Sequence, residues 1–156
     1  MAGRRPVIAV ADTRFGQLGV ESDGAHIVAL HWNAAPQGEG SPLLAEAVAQ
    51  LEAYDAGRLQ AFDLPLAPKG TAFQQRVFAA LLEIPFGETL TYGEMAASLD
   101  CAAQPVGQAC GANPIPVIIP CHRVLAKSGI GGFSGWGGVE SKIALLQHEG
   151  GYPFLL

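Results

Sequence analysis

The sequence predicts an α/β domain over residues 1–66, followed by a mainly α-helical domain with a helix-turn-helix over residues 67–156. Short apolar runs between turn residues come first, and patterns with helical period follow them. The segment Ala67-Pro68-Lys69-Gly70 between the two parts is typical of a linker. With 156 residues, 49% of them hydrophobic, the chain can bury a core.

Three strands and one helix are predicted in the first domain. Runs rich in Val, Ile and Leu over residues 6–11, 16–21 and 25–32 are separated by turn residues, which favours an antiparallel meander. Ser41-Pro42 is typical of a helix start, because serine caps the first turn and proline lacks an N–H where none is needed. Gly57 is predicted to end this helix. Its apolar face is predicted to hold Leu44, Ala47, Val48 and Leu51, and the segment 62–66 is predicted to be extended.

The second domain is predicted to be mostly helical. Thr71 is expected to cap its first helix, and Thr91 with Glu94 forms a capping-box pattern that opens a short one. Small residues over 106–112 predict a second short helix after a tight connection, and the pair indicates a helix-turn-helix. A final helix is predicted over 139–149, with Ile143 and Leu146 inside. The buried face of the first helix is predicted to hold Phe73, Val77, Phe78, Leu81 and Leu82.

Composition excludes several classes of protein. Three cysteines cannot pair completely, and with the four histidines they show no zinc-ligand spacing, so neither a disulfide scaffold nor a metal site is expected. No apolar run approaches the ~20 residues of a membrane helix. The start, with Arg4-Arg5, does not resemble a signal peptide. We therefore expect a soluble cytoplasmic protein, nucleoid-associated if the source is bacterial, with no membrane partner.

The net charge of −5 argues against a nucleic-acid partner, but its distribution weakens that argument. Residues 1–65 carry eight acidic and four basic side chains, whereas residues 66–156 carry six and five. From Cys101 to Pro120 there is no charged side chain. A DNA-binding surface in the second domain therefore stays open.

Pro120-Cys121-His122-Arg123-Val124, which follows an apolar run, is the most informative segment. The thiolate is the nucleophilic form of cysteine, and an adjacent histidine can take the proton or stabilise the anion. Cys121 is therefore a candidate nucleophile. The alternative, an inert buried thiol, is favoured for Cys101 and Cys110.

Several motifs occur in one order along the chain, followed by a glycine-rich segment over 131–138. They are Thr71-Ala72-Phe73-Gln74, Ile84-Pro85-Phe86-Gly87-Glu88-Thr89, Thr91-Tyr92-Gly93-Glu94, Gly111-Ala112-Asn113-Pro114-Ile115, Ile119-Pro120-Cys121-His122-Arg123-Val124 and Leu145-Leu146-Gln147-His148-Glu149-Gly150. On these motifs the chain resembles the O6-alkylguanine-DNA alkyltransferases, also called methylated-DNA–protein-cysteine methyltransferases. The resemblance is dense over residues 62–150 and loose over the first 60.

The resemblance implies an RNase H-like first domain and a single-turnover DNA repair reaction. Some relatives hold zinc in the first domain, but this one has no cysteine there. The protein would bind duplex DNA in the minor groove as a monomer and flip the damaged guanine. One cysteine would then take the alkyl group from O6 irreversibly and without a cofactor, with O4 of thymine as a second candidate position.

By position, the resemblance assigns the chemistry to five residues. Displacement at carbon needs a soft nucleophile, which Cys121 supplies as a thiolate. His122 would reach that thiol through a bridging water, and Glu149 would orient the histidine. Tyr92 would stabilise or protonate the leaving guanine. Asn113 would tie the helix-turn-helix to the active-site strand.

A second set of residues would meet DNA and the flipped base. Relatives carry an arginine where this chain has Gln104, and Pro105 predicts that the recognition helix begins near it. Because this segment is uncharged, DNA binding should depend only weakly on salt. The residues expected to contact DNA are Gln104, Pro105, Val106, Gly107, Ala109 and Arg123. The pocket for the base is expected to contain Phe133, Ser134, Gly135 and Trp136.

Two rival functions remain open. The first is a non-catalytic sensor that binds alkylated DNA and recruits other repair factors; relatives of that kind replace the cysteine, and Cys121 is present. The second is a thiol protein that has lost DNA binding, which the acidic charge and the missing arginine would favour. Tyr92, Phe133 and Trp136 also fit as ordinary packing aromatics.

Overall fold

A computed structural model describes residues 6–127, 129 and 138–150. The chain forms two compact units, Met1–Pro68 and Lys69–Leu156, whose border falls within the predicted linker. No helix in the described ranges is long and apolar enough to cross a membrane.

The first unit contains a three-stranded antiparallel sheet in the order β1-β2-β3. Its strands are β1 (Val7–Thr13), β2 (Gly16–Ser22) and β3 (Ile27–His31). Thr13 pairs with Gly16 across a tight turn, where Gly16 takes a φ of 109° that favours glycine. The predicted meander is confirmed.

One helix, α1 (Pro42–Asp55), packs against β1 and β2. It begins as predicted, because the Ser41 hydroxyl accepts a hydrogen bond from the N–H of Leu44 at 3.2 Å. The chain then returns to the sheet, where the N–H of Ala67 donates to the carbonyl of Ile27 at 2.9 Å. The buried face of α1 contains Leu44, Ala47, Leu51 and Tyr54.

The second unit is mainly helical, as predicted. Its elements are α2 (Ala72–Leu82), β4 (Leu90–Thr91), α3 (Tyr92–Ser98), α4 (Ala103–Gly111), β5 (Val124–Leu125) and α5 (Val139–Glu149). Both α2 and α3 pack against α4, so α3 and α4 form the predicted helix-turn-helix. Thr91 caps α3 by accepting from the N–H of Glu94 at 3.0 Å, and the Glu94 carboxylate accepts from the N–H of Thr91 at 2.8 Å.

One detail of these helices corrects the sequence prediction. Leu82 is 49% exposed and lies outside the buried stripe of α2, which ends at Leu81. The recognition helix α4 begins at Ala103, close to Pro105 as predicted. Pro105 therefore lies in the first turn of α4. Backbone N–H groups have no acceptor within the helix there, so the missing N–H of proline costs no helical hydrogen bond.

The apolar segment before Cys121 is buried but is not the expected active-site strand. Residues 114–119 form bends and turns, and the N–H of Ile119 donates to the carbonyl of Ile115 at 2.8 Å. Val117 takes a φ of 72°, a left-handed conformation that is unusual for a β-branched residue. Pro114 and Pro116 lack the N–H groups that a sheet ladder needs, which explains the difference.

Candidate active site

Cys121 lies in a 3-10 turn, Cys121–Arg123, between the buried apolar segment and β5. Strand β5 pairs in parallel with β4, in the register that sets Thr91 opposite Leu125. Because Tyr92 directly follows Thr91, this pairing brings the start of α3 close to the turn that carries the cysteine. A two-stranded sheet with two residues in each strand thus connects the helix-turn-helix to the turn that carries the thiol.

His122, Arg123 and Glu149 form a buried cluster beside Cys121. Nε2 of His122 lies 2.8 Å from Oε2 of Glu149, the last residue of α5. Arg123 donates to both carboxylate oxygens, from Nε at 2.8 Å and from Nη2 at 3.0 Å. Its Nη1 donates to the carbonyl of Ile84 at 2.6 Å. The side chains of His122 and Glu149 are 0% and 1% exposed, so water screens this cluster little.

The electrostatics of this cluster set the state of the histidine. Burial opposes ionisation of Glu149, but hydrogen bonds from His122 and Arg123 outweigh it and hold the pKa of the carboxyl well below its usual range. Burial lowers the pKa of His122, so the ring is neutral at pH 7. A neutral ring beside a carboxylate carries its proton on Nε2, which leaves a lone pair on Nδ1. Nδ1 of His122 is buried and has no hydrogen-bond partner among the described residues, so it can accept a proton.

Asn113 connects α4 to the segment that precedes the cysteine. Its Nδ2 donates to the carbonyl of Ile119 at 2.8 Å, and its Oδ1 accepts from the N–H of Ile115 at 2.9 Å. Burial raises the pKa of the Cys121 thiol, whereas a hydrogen bond from the Asn113 side chain and the charge of Lys142 act in the opposite direction. The thiol thus depends on its neighbours for ionisation.

Lys142 is a member of the site that the sequence analysis missed. It is 0% exposed, its Nζ donates to the carbonyl of Val124 at 2.7 Å, and the same atom lies 5.7 Å from the centroid of the Tyr92 ring. A signal was present, because Lys142 precedes Glu149 by two helical turns and so shares the inner face of α5.

The other titratable groups near the thiol stay protonated at neutral pH. Burial, followed by the charges of Cys110 and Cys121, raises the pKa of Tyr92 to about 12, so its hydroxyl can act as a donor. Burial also raises the pKa of Cys110 to about 12, which agrees with the expectation of an inert thiol at this position.

The structure separates the residues predicted to contact DNA into two groups. On α4, Gln104 is exposed, and Pro105 and Gly107 are half-buried. Val106 and Ala109 are buried on the inner face of the helix. Contact of these two residues with DNA stays a prediction.

Arg123 was also predicted to contact DNA, and its guanidinium is buried and binds Glu149 and the carbonyl of Ile84. The four residues predicted for the base pocket lie outside the described residues; they are Phe133, Ser134, Gly135 and Trp136. Within the described ranges no cluster of three or more His, Cys, Asp or Glu side chains could hold a metal ion.

Fold and site together define a class: a two-unit protein whose helical unit joins a helix-turn-helix to a buried cysteine next to a histidine held by a glutamate. Residues 7–68 match the family described as the 6-O-methylguanine DNA methyltransferase ribonuclease-like domain, and residues 72–151 match the DNA binding domain of the same enzymes. The chain belongs to this family, the methylated-DNA–protein-cysteine methyltransferases. The expected ribonuclease-like first domain is thereby confirmed.

Individual relatives and solved structures agree with this assignment. The methylated-DNA–protein-cysteine methyltransferase of Mycobacterium bovis is 48% identical over 122 residues, which cover 76% of this chain and 70% of the relative. The enzyme of that name from Methanosarcina acetivorans is 48% identical over 115 residues and 72% of each chain. The crystal structure of Mycobacterium tuberculosis O6-methylguanine methyltransferase superimposes with a TM-score of 0.80 at 39% identity, over 94% of this chain and 93% of that one. Mycobacterium tuberculosis OGT in complex with DNA gives 0.79 at 42% identity, over 90% and 91%.

Proposed function

We propose that this protein repairs DNA by transferring an alkyl group from O6 of guanine in duplex DNA to the sulfur of Cys121. The observation that carries the proposal is the buried ring of His122, which directly follows a cysteine, lies against Glu149 through Nε2, and has no hydrogen-bond partner at Nδ1 among the described residues. Membership of the methyltransferase family supports it. O4 of thymine is a second position that the same chemistry can serve.

The transfer is a nucleophilic displacement at the alkyl carbon. His122 takes the thiol proton through a bridging water, because consecutive side chains point in different directions. The Cys121 sulfur then forms a bond to the alkyl carbon while the bond from carbon to O6 breaks and its electron pair stays on guanine. The Tyr92 hydroxyl donates a hydrogen bond or a proton to the leaving base, for which its raised pKa keeps it protonated. The thioether product is stable, so each molecule reacts once and needs no cofactor.

The helix-turn-helix would deliver the base. A guanine stacked in a duplex cannot reach a cysteine that is 6% exposed, so it must be flipped out of the helix. On α4, Gln104 is exposed, and Pro105 and Gly107 are half-buried. The small size of Pro105 and Gly107 lets the helix backbone approach the minor groove closely. Gln104 would fill the space that the base leaves, without bringing a charge. We propose that the protein acts as a monomer on cytoplasmic duplex DNA.

Mass spectrometry tests this function directly. After incubation with a duplex that contains O6-methylguanine, the protein should gain one methyl group, on the peptide that contains Cys121, while the DNA regains guanine. An unmodified duplex of the same sequence is the control. Duplex binding without mass gain would instead identify the sensor, and absence of both would indicate a thiol protein without a DNA function.

DNA binding should show a shallow salt dependence. Of the five basic residues in the second unit, Arg123 and Lys142 are buried in the site, which leaves Lys69, Arg76 and Lys127 exposed. Each phosphate contact adds about 0.9 to the slope of log Kobs against log salt concentration, so we expect a slope of about −3 or shallower. Fluorescence anisotropy with a labelled duplex at several salt concentrations measures it.

Gln104→Arg should steepen this slope by about 0.9 if α4 lies against the backbone. Gln60→Arg, at an exposed position of the first unit, makes the same change in net charge and should leave the slope unchanged. A wild-type slope near −8 would contradict the prediction.

A further inference from the structure

We propose that Lys142 is a positioning residue for this reaction, whose buried ammonium group supplies the positive charge that stabilises the Cys121 thiolate. The inference rests on the proposed function, because it concerns the nucleophile of the same site. It assigns to Lys142 a task different from that of His122, which removes the proton.

Two contacts place the ammonium group of Lys142. Nζ donates to the carbonyl of Val124, three residues after the cysteine, at 2.7 Å. The same atom lies 5.7 Å from the centroid of the Tyr92 ring, within the range of a cation–π contact. With 0% of the residue exposed, the ammonium is held inside the site instead of extending to solvent. A buried lysine costs free energy, and a nearby anion offsets that cost.

The cluster of His122, Arg123 and Glu149 does not supply the positive charge that would stabilise the thiolate. Arg123 binds Glu149 through two hydrogen bonds, so the guanidinium and the carboxylate offset each other. His122 donates to the same carboxylate, and its ring is neutral at pH 7. A thiolate that forms at Cys121 therefore meets little net positive charge from these three residues.

The mutual effects of the titratable groups agree with this assignment. Lys142 lowers the pKa of Cys121, against the larger opposite effect of burial. In return, charges on Cys121 and Cys110 raise the pKa of Lys142, whereas burial lowers it more. The groups that face Lys142 from the surrounding elements also include Tyr92 of α3 and His122 of the turn. The effects of Lys142 and Cys121 on each other thus have the signs that the proposal requires.

The pH dependence of Cys121 alkylation tests the proposal without DNA. The probe is iodoacetamide, and peptide mass spectrometry reads the rate at Cys121 separately from the other two thiols. For Lys142→Met we expect the rate at pH 7 to fall about tenfold, because losing a cation near the thiolate raises the thiol pKa by about one unit. The rate should approach that of the wild type at high pH, where the thiol ionises without help. Lys142→Arg, which keeps the charge, should restore most of the rate at pH 7.

Controls separate this role from a structural one. Lys127→Met removes an exposed lysine of the same unit and should leave the profile unchanged. If thermal melting shows that Lys142→Met is unfolded, Lys142→Gln replaces it, since glutamine is neutral and keeps a donor. A Lys142→Met profile that coincides with the wild type, or that is lower by one factor at every pH, overturns the proposal. If the wild type does not take a methyl group from the duplex but the profile shifts as expected, the proposed function fails while the role of Lys142 stands.

Discussion

Replacement of Cys121 by alanine is expected to abolish methyl transfer, with no gain of mass after prolonged incubation with a duplex that contains O6-methylguanine. The reaction makes a covalent bond to this sulfur, and His122, Glu149 and Tyr92 cannot substitute for it, because each acts on protons or orientation. We expect a loss of at least about 10³-fold, limited by detection. Duplex binding should remain, because the exposed face of α4 is unchanged.

Cys101→Ala is the matched control, since it removes a half-buried thiol of the same unit and should transfer the methyl group at the wild-type rate. Methylation of the Cys121→Ala variant at Cys110 would show that the pocket serves either thiol. That result would contradict the assignment of Cys121 as the required nucleophile.

Arg123→Met should destabilise the second unit by about 3–5 kcal/mol, because it leaves the carboxylate of Glu149 buried without its cation. The pKa of Glu149 lies below its usual range through hydrogen bonds from His122 and Arg123. A carboxyl whose folded pKa is lowered contributes stability above its unfolded pKa, near pH 4.3, and that contribution is lost as pH falls through the folded value. The loss caused by Arg123→Met should therefore be full at pH 7. Hydrogen exchange read on peptides of the second unit measures it separately from the first.

Arg76→Met makes the same chemical change at an exposed arginine that donates one hydrogen bond, to the carbonyl of Leu99 at 2.9 Å. It should cost less than about 1 kcal/mol. If hydrogen exchange in the second unit is equal in Arg123→Met and Arg76→Met, the ion pair of Arg123 with Glu149 does not stabilise this unit.

Local features of the structure were predictable because they depend on near neighbours. The helix Val139–Glu149 has the predicted bounds, and Thr91 caps α3 through the residue three positions later, as its sequence pattern indicates. The meander followed from short apolar runs between turn residues. The prediction of a buried side chain failed at Leu82, which continues an apolar run in the sequence but lies on the exposed side of α2.

The site itself was only partly predictable. Adjacent residues at Cys121 and His122 indicated a reactive thiol, whereas the glutamate came from resemblance to a family. The ion pair of Arg123 was not predicted, because nothing near it in the sequence reveals a carboxylate 26 residues later. Lys142 was missed because a lysine on a helix is usually solvated, and its burial depends on the packing of α5 against the turn at Cys121.

The sequence by itself determined the family, the three-stranded meander of the first unit, the helices of both units, and a thiol followed by an imidazole. Only the tertiary structure decided that two of the five basic residues of the second unit face inward, one to neutralise Glu149 and one to lie beside the Tyr92 ring. The physical reason is that a charged side chain is stable in the interior only where hydrogen-bonding or oppositely charged groups surround it. Those partners come from chain segments that only the packing of α5 against the turn at Cys121 brings together.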